Sequence, residues 1–217
     1  MGSSTSIPGP VDKRVLTSIK GSRIPPPAPT ELPYLPRELR PTRVTAELHP
    51  RTQEIVDECH DFFLKNWPFK TETHKKRFCD EGYAWFNCIL CPMGLDDRMV
   101  GVCKFLTTGF LIDDMLDRMS VEEGKAHNAV VIECCRGERL PDREKPAQWI
   151  MYDLFQEFRQ IDKELSDMLL KYTIDFFIAQ TDADRSNIKN LQGYFEYRHA
   201  DLGKGYVHCS SLSLTWC

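Results

Sequence analysis

The sequence predicts an all-α fold, and three observations carry that prediction. Apolar residues recur at every third or fourth position through long stretches, and no stretch alternates apolar and polar residues as a half-buried strand does. Ten of the 14 prolines fall within residues 1–50, which leaves the periodic stretches free of helix breakers.

The elements follow in order. Residues 51–66 place Ile55, Val56, Cys59, Phe62 and Phe63 at helical spacing with charges between them. Trp67-Pro68 stops this run, because the residue before a proline is pushed out of the helical region. A second helix is predicted over 73–90, closed by Pro92 and Gly94. A third is predicted over 96–118, opened by Asp96 and Asp97, whose charge suits a helix N-terminus. Residues 120–128 read as a loop or short helical turn with Gly124, and the polar segment 136–146 as a connector. The longest periodic stretch is 147–180, with Met151, Leu154, Phe155, Phe158, Ile161, Leu165, Met168, Leu169, Tyr172 and Phe176 in one stripe. Residues 182–187 break the pattern, and a last helix is predicted over 188–203. The expected architecture is about five or six helices packed side by side.

Composition narrows the function. A chain of 217 residues suffices for one domain with a sizeable core. Charged residues make up 28% and hydrophobic residues 41%, and the net charge is −4. That balance lacks the basic footprint of a nucleic-acid binder. No apolar stretch reaches signal-peptide or membrane-span length, so a cytoplasmic protein without a membrane span is expected. Residues 1–45 read as a Pro-rich disordered tail. Gly2 with Ser6 fits the M-G-x-x-x-[ST] acylation pattern, but that pattern is loose and an ordinary Ser-rich start is the better reading. Nine cysteines, an odd number in apolar contexts, point to reduced thiols. Cys88 and Cys91 form a C-x-x-C that is either half of a zinc site or two small buried hydrophobes. No second C-x-x-C accompanies it.

The helix 96–118 carries the most informative pattern. Met99, Val102, Cys103, Leu106 and Phe110 define its apolar face. At about 100° per residue, Asp113 and Asp117 fall about 20° to either side of Leu106, and Asp114 flanks them. The two carboxylates are therefore expected to carry the apolar stripe on into the interior. Ionised carboxylates there cost free energy and repel each other unless a cation lies between them. A hard divalent ion with oxygen ligands meets both conditions, and Mg2+ typically takes one or two carboxylates together with water and phosphate. The alternative is that the helix emerges at Asp113 and its last residues are solvated.

Asp113-Asp114-Met115-Leu116-Asp117 resembles the aspartate-rich D-D-x-x-D motif of class I terpene synthases. The helix beginning Asp96-Asp97-Arg98-Met99 resembles the fungal members of that family. Residues 194–203, Tyr-Phe-Glu-Tyr-Arg-His-Ala-Asp-Leu-Gly, resemble the family's diphosphate-sensing segment. The resemblance spans roughly Thr45 to Gly203 and implies a partial class I terpenoid synthase helical bundle, with 46–203 as the N-terminal part of the catalytic domain. It also implies a lyase, a sesquiterpene cyclase that ionises a prenyl diphosphate, farnesyl diphosphate foremost, with Mg2+ as cofactor. By the same resemblance Asp113 and Asp117 bind the metal, Asp113 and Arg198 are catalytic, and Arg198 and Asp201 bind the diphosphate. Leu202 takes the effector position, where many relatives carry a small residue. A planar guanidinium is a natural bidentate partner for phosphate oxygens. Otherwise Arg198 is a surface residue paired with Glu196 or Asp201. Phe86, Phe110 and Phe177 are candidates for an aromatic cavity wall that faces a carbocation, or else are simple core.

The family's later N-D-x-x-S-x-x-x-E metal motif has no match here, nor does its C-terminal arginine–tyrosine pair. Residues 205–217 contain no Asp, Glu, Lys or Arg, so 204–217 reads as an atypical tail. The expectation is a C-terminally truncated synthase, inactive or nearly so. The alternative is a non-catalytic helical protein of the same ancestry. A chain-elongating prenyl synthase would carry two D-D-x-x-D motifs, and one is present.

Overall fold

The computed structural model describes residues 47–182, 188 and 190–201. The regions read as tails, 1–45 and 204–217, lie outside them. The described residues contain eight α-helices and no strand. Residues 71–82 form a unit apart from the main helical body, and each is described by itself.

In the main body, α1 (Thr52–Asn66) buries Ile55, Val56, Cys59 and Phe63. It ends at Trp67, whose extended ψ of 137° is the conformation that Pro68 imposes. Next in the chain, α2 (Glu72–Glu81) is the helix of the separate unit. The Thr71 hydroxyl caps it by accepting from the His74 N–H at 3.1 Å, and Gly82 closes it at φ 69°, a left-handed position suited to glycine. The helix expected over 73–90 is therefore two, because Gly82 turns the chain before α3 (Tyr83–Leu90) begins.

The central helix is α4 (Asp96–Leu116). From Phe105 to Gly109 and again at Leu111 and Ile112 its side chains are buried around nearly the whole circumference, between α3, α1 and α6 (Pro146–Ile161). Phe105 meets Phe155 edge-to-face, with centroids 5.7 Å apart, and Phe158 in the same way.

Residues 120–128, read as a loop or short helical turn, are the start of a full helix, α5 (Val121–Arg136). Ser120 and Glu123 form a reciprocal capping box, and Gly137 ends the helix at φ 76°. Gly124 belongs to the first turns of this helix. A Cβ there would lie 3.2 Å from both Leu116 Cδ2 and Thr181 Cγ2, so the glycine serves close approach of helices, not a turn.

The stripe over 147–180 is likewise divided. After α6, Asp162 leaves the helical region (φ −154°, ψ 105°) and caps α7 (Lys163–Gln180) by accepting from Leu165 N–H at 2.9 Å. The last described helix, α8 (Leu191–Asp201), packs on α7. Among the described residues no helix is long and apolar enough to cross a membrane.

Candidate functional site

The site is built where the C-terminal ends of α4 and α7 meet the start of α5. One cavity there is lined by Asp113, Asp117, Gly124, Gln180, Thr181 and Asp182, among others. Asp113 and Asp117 thus share a face, as the helical period requires. Both side chains are nevertheless exposed, which corrects the expectation that they continue into the interior. The physical reason is that α4 is enclosed only as far as Ile112. Its last turn is only partly covered, by the end of α7 and the start of α5, and ends with Asp117 as the C-cap.

Asp113 has a specific partner. Its Oδ1 accepts a hydrogen bond of 2.8 Å from Gln180 Nε2, 67 residues away in sequence. Gln180 is the last residue of α7 and is 6% exposed. The end of α7 is itself fixed to α5, because buried Asn128 donates from Nδ2 to Phe177 O at 2.9 Å. Sequence reading missed both Gln180 and Asp182. The signal for Gln180 is a polar residue one turn beyond Phe176 on the apolar stripe, and Asp182 lies in the break of the periodic pattern.

The aromatic candidates divide. Phe110, one turn before Asp113, is half-buried and stacks on Tyr83 with centroids 4.8 Å apart and planes 13° apart. Phe86 meets Phe110 edge-to-face at 6.3 Å and is 43% exposed. Phe177 is fully buried core. Arg198 is half-buried on α8, while the cavity named above draws on α4, α5 and α7 and the turns next to them. Asp201 closes α8, with its side chain outside the described residues, as is Leu202.

Among the described residues no three His, Cys, Asp or Glu side chains converge into a set able to enclose a metal ion. Cys88 and Cys91 are both buried, which supports their reading as small hydrophobes. Burial pushes the Cys59 thiol up to about 12 and raises Cys135 as well.

No protein-family model matches the sequence. Individual relatives do. Aristolochene synthase of Penicillium roqueforti is 41% identical over 167 residues, which cover 77% of this chain and 49% of that protein. Aristolochene synthase of Aspergillus terreus is 42% identical over 156 residues, covering 72% and 49%. The crystal structure of the Penicillium roqueforti enzyme superposes with a TM-score of 0.74 at 39% identity, over 81% of this chain and 60% of that one. The chain spans about half the length of the curated relatives it matches. A shared helical fold and about two-fifths identity over most of these residues place the chain in the fungal sesquiterpene-cyclase branch of the terpene synthases.

Proposed function

We propose that the cavity at the end of α4 binds Mg2+ and the diphosphate of a prenyl substrate, and that the protein is a sesquiterpene cyclase acting on farnesyl diphosphate. One observation carries this reading: two carboxylates one helical turn apart open onto a single cavity, directly beyond Phe110 of the same helix, which stacks on Tyr83 of α3. The donor set fits the ion, since Mg2+ prefers oxygen ligands and typically takes one or two carboxylates.

In this reading Asp113 and Asp117 are the metal ligands. Mg2+, when bound, supplies positive charge against the departing pyrophosphate. Arg198 holds diphosphate oxygens through its planar fork of N–H donors, and Asp201 orients that segment. Phe86 and Phe110 are the rings that would turn a negative face toward an allyl cation. The 217 residues supply only part of the cation cluster that such an ionisation needs, so little or no cyclic hydrocarbon is expected from them alone.

The test is calorimetry with farnesyl diphosphate, with and without Mg2+, followed by gas chromatography of the hydrocarbon extract. Mg2+-dependent binding that weakens at least about tenfold in Asp113→Ala and in Arg198→Ala is expected, the loss of one charge-assisted contact. Binding that is indifferent to Mg2+ and to Asp113 overturns the reading. Robust cyclic product from the unaltered chain overturns the expectation of low activity.

A further inference from the structure

We propose that His127 is a positioning residue for the diphosphate cavity, acting through Asn128 on the end of α7, an inference that rests on the reading of that cavity above. A carbonyl oxygen only accepts, so the 2.9 Å contact with Phe177 O requires the Asn128 amide to turn its NH2 group toward α7. The amide oxygen then faces His127, whose Nδ1 lies 3.1 Å away. That oxygen also only accepts, so the proton of the contact sits on His127 Nδ1. The bond made at one ring nitrogen sets the tautomer, and neutral His127 is the Nδ1–H form. A backbone carbonyl on another helix, 49 residues from Asn128, thereby fixes where the imidazole carries its proton.

The relay from His127 through Asn128 to Phe177 O joins α5 to the part of α7 that lines the cavity. Asn128 is 2% exposed, so its amide has no access to water as a substitute partner. Without the His127 N–H, Asn128 Oδ1 is a buried acceptor short of a donor, and turning the amide away from Phe177 O relieves that cost. Gln180 and Thr181 follow Phe177 by one turn, and both line the cavity together with Asp113 and Asp117. Thr181 is also seated closely against Gly124, one turn before His127 on α5. Loss of the relay therefore loosens the α7 wall of the cavity and changes none of the residues that line it. His127 itself is half-buried and stands outside that lining. Functional sites hold their geometry through supporting contacts of this kind.

The test uses the full chain, labelled with 15N and read by NMR at mildly alkaline pH. In the unaltered chain His127 is expected to carry its proton on Nδ1 and none on Nε2, and a neutral ring protonated at Nε2 overturns the assignment. Two variants separate the donor from the bulk. His127→Leu fills the space without an N–H, whereas His127→Asn places an amide nitrogen close to where Nδ1 stands. His127→Leu is expected to move the Thr181 backbone amide signal and the Asn128 side-chain amide, and His127→Asn to keep both near their places. A Thr181 signal unmoved in His127→Leu overturns the proposal. Calorimetry with farnesyl diphosphate and Mg2+ is expected to show binding weakened about 3- to 30-fold in His127→Leu and within about twofold of the unaltered chain in His127→Asn. A merely structural role would lower the melting temperature of His127→Leu and leave the affinity of the folded protein unchanged, and that outcome also overturns the proposal. Should His127→Leu not fold, His127→Gln, whose amide nitrogen stands one bond too far out, is read in the same way. If the unaltered chain does not bind farnesyl diphosphate with Mg2+, the reading of the cavity fails and the positioning role with it, while the tautomer and the Thr181 signal separately decide whether His127 fixes the end of α7.

Discussion

Replacing Asn128 by alanine removes a hydrogen bond between two helices and leaves a buried carbonyl short of a partner. Asn128 is 2% exposed and donates to Phe177 O at 2.9 Å. That carbonyl belongs to the last turn of α7, where acceptors lack helical N–H groups. The Thr181 N–H turns instead to Ile178 O at 3.2 Å. The remaining partner is the Thr181 hydroxyl, at a long 3.4 Å. A typical hydrogen bond contributes about 0.5–1.5 kcal/mol net, and a buried acceptor left unsatisfied costs about 1–3 kcal/mol. The expected loss is about 2 kcal/mol, roughly a 30-fold change in the folded-to-unfolded ratio. For a chain of this size it lowers the melting temperature by about 4–8 °C. Asn128→Asp keeps the volume but exchanges the donor for an acceptor and buries a carboxylate against the Phe177 carbonyl, so it is expected to cost at least as much. Urea unfolding followed by far-ultraviolet circular dichroism measures both, with an unchanged denaturant slope as the check on two-state behaviour. If both variants lie within about 0.5 kcal/mol of the unaltered chain, the Asn128 tie carries none of the stability assigned to it.

Three further outcomes are expected. Phe155→Ala is expected to cost about 3–5 kcal/mol in the same unfolding assay, because the ring is fully buried against Phe105 and Phe158. Glu123 is held below the ordinary carboxylate pKa by its hydrogen bonds with the Ser120 backbone and side chain. Its stabilising contribution is therefore complete above the ordinary carboxylate pKa and is lost as pH falls through the lowered value. Hydrogen exchange at the start of α5 is expected to quicken over that acid window, and Glu123→Gln is expected to flatten the response. Burial raises the Cys59 thiol to about 12, so maleimide at mildly alkaline pH is expected to label it only after denaturant is added, as mass spectrometry of tryptic peptides would show.

Much of the fold is legible residue by residue. The spacing of Ile55, Val56, Cys59 and Phe63 gives α1 nearly to its ends, and Trp67-Pro68 gives its stop. The helix expected over 96–118 is found as Asp96–Leu116. The misses share a cause. Gly124 looks like a loop residue because glycine is permissive, yet here it fits between Leu116 and Thr181, neighbours that sequence distance hides. The capping box of Ser120 and Glu123 was the local signal for α5. At Asp162 a single extended residue separates two helices whose apolar stripes run on through the break, so periodicity alone does not reveal it.

The sequence by itself determined that Asp113 and Asp117 lie on one face of a helix and that Phe110 precedes them by one turn. Those relations follow from 3.6 residues per turn, which is a property of the local backbone. Only the tertiary structure decided that this face is open at its end and not buried, since burial depends on which helices reach that far. It likewise assigned Phe177 to the core and left Phe86 on the surface, although both are phenylalanines in helices. Tertiary structure also brought Gln180 against Asp113. Helical period cannot foresee a contact made by packing α7 beside α4 across 67 residues of chain.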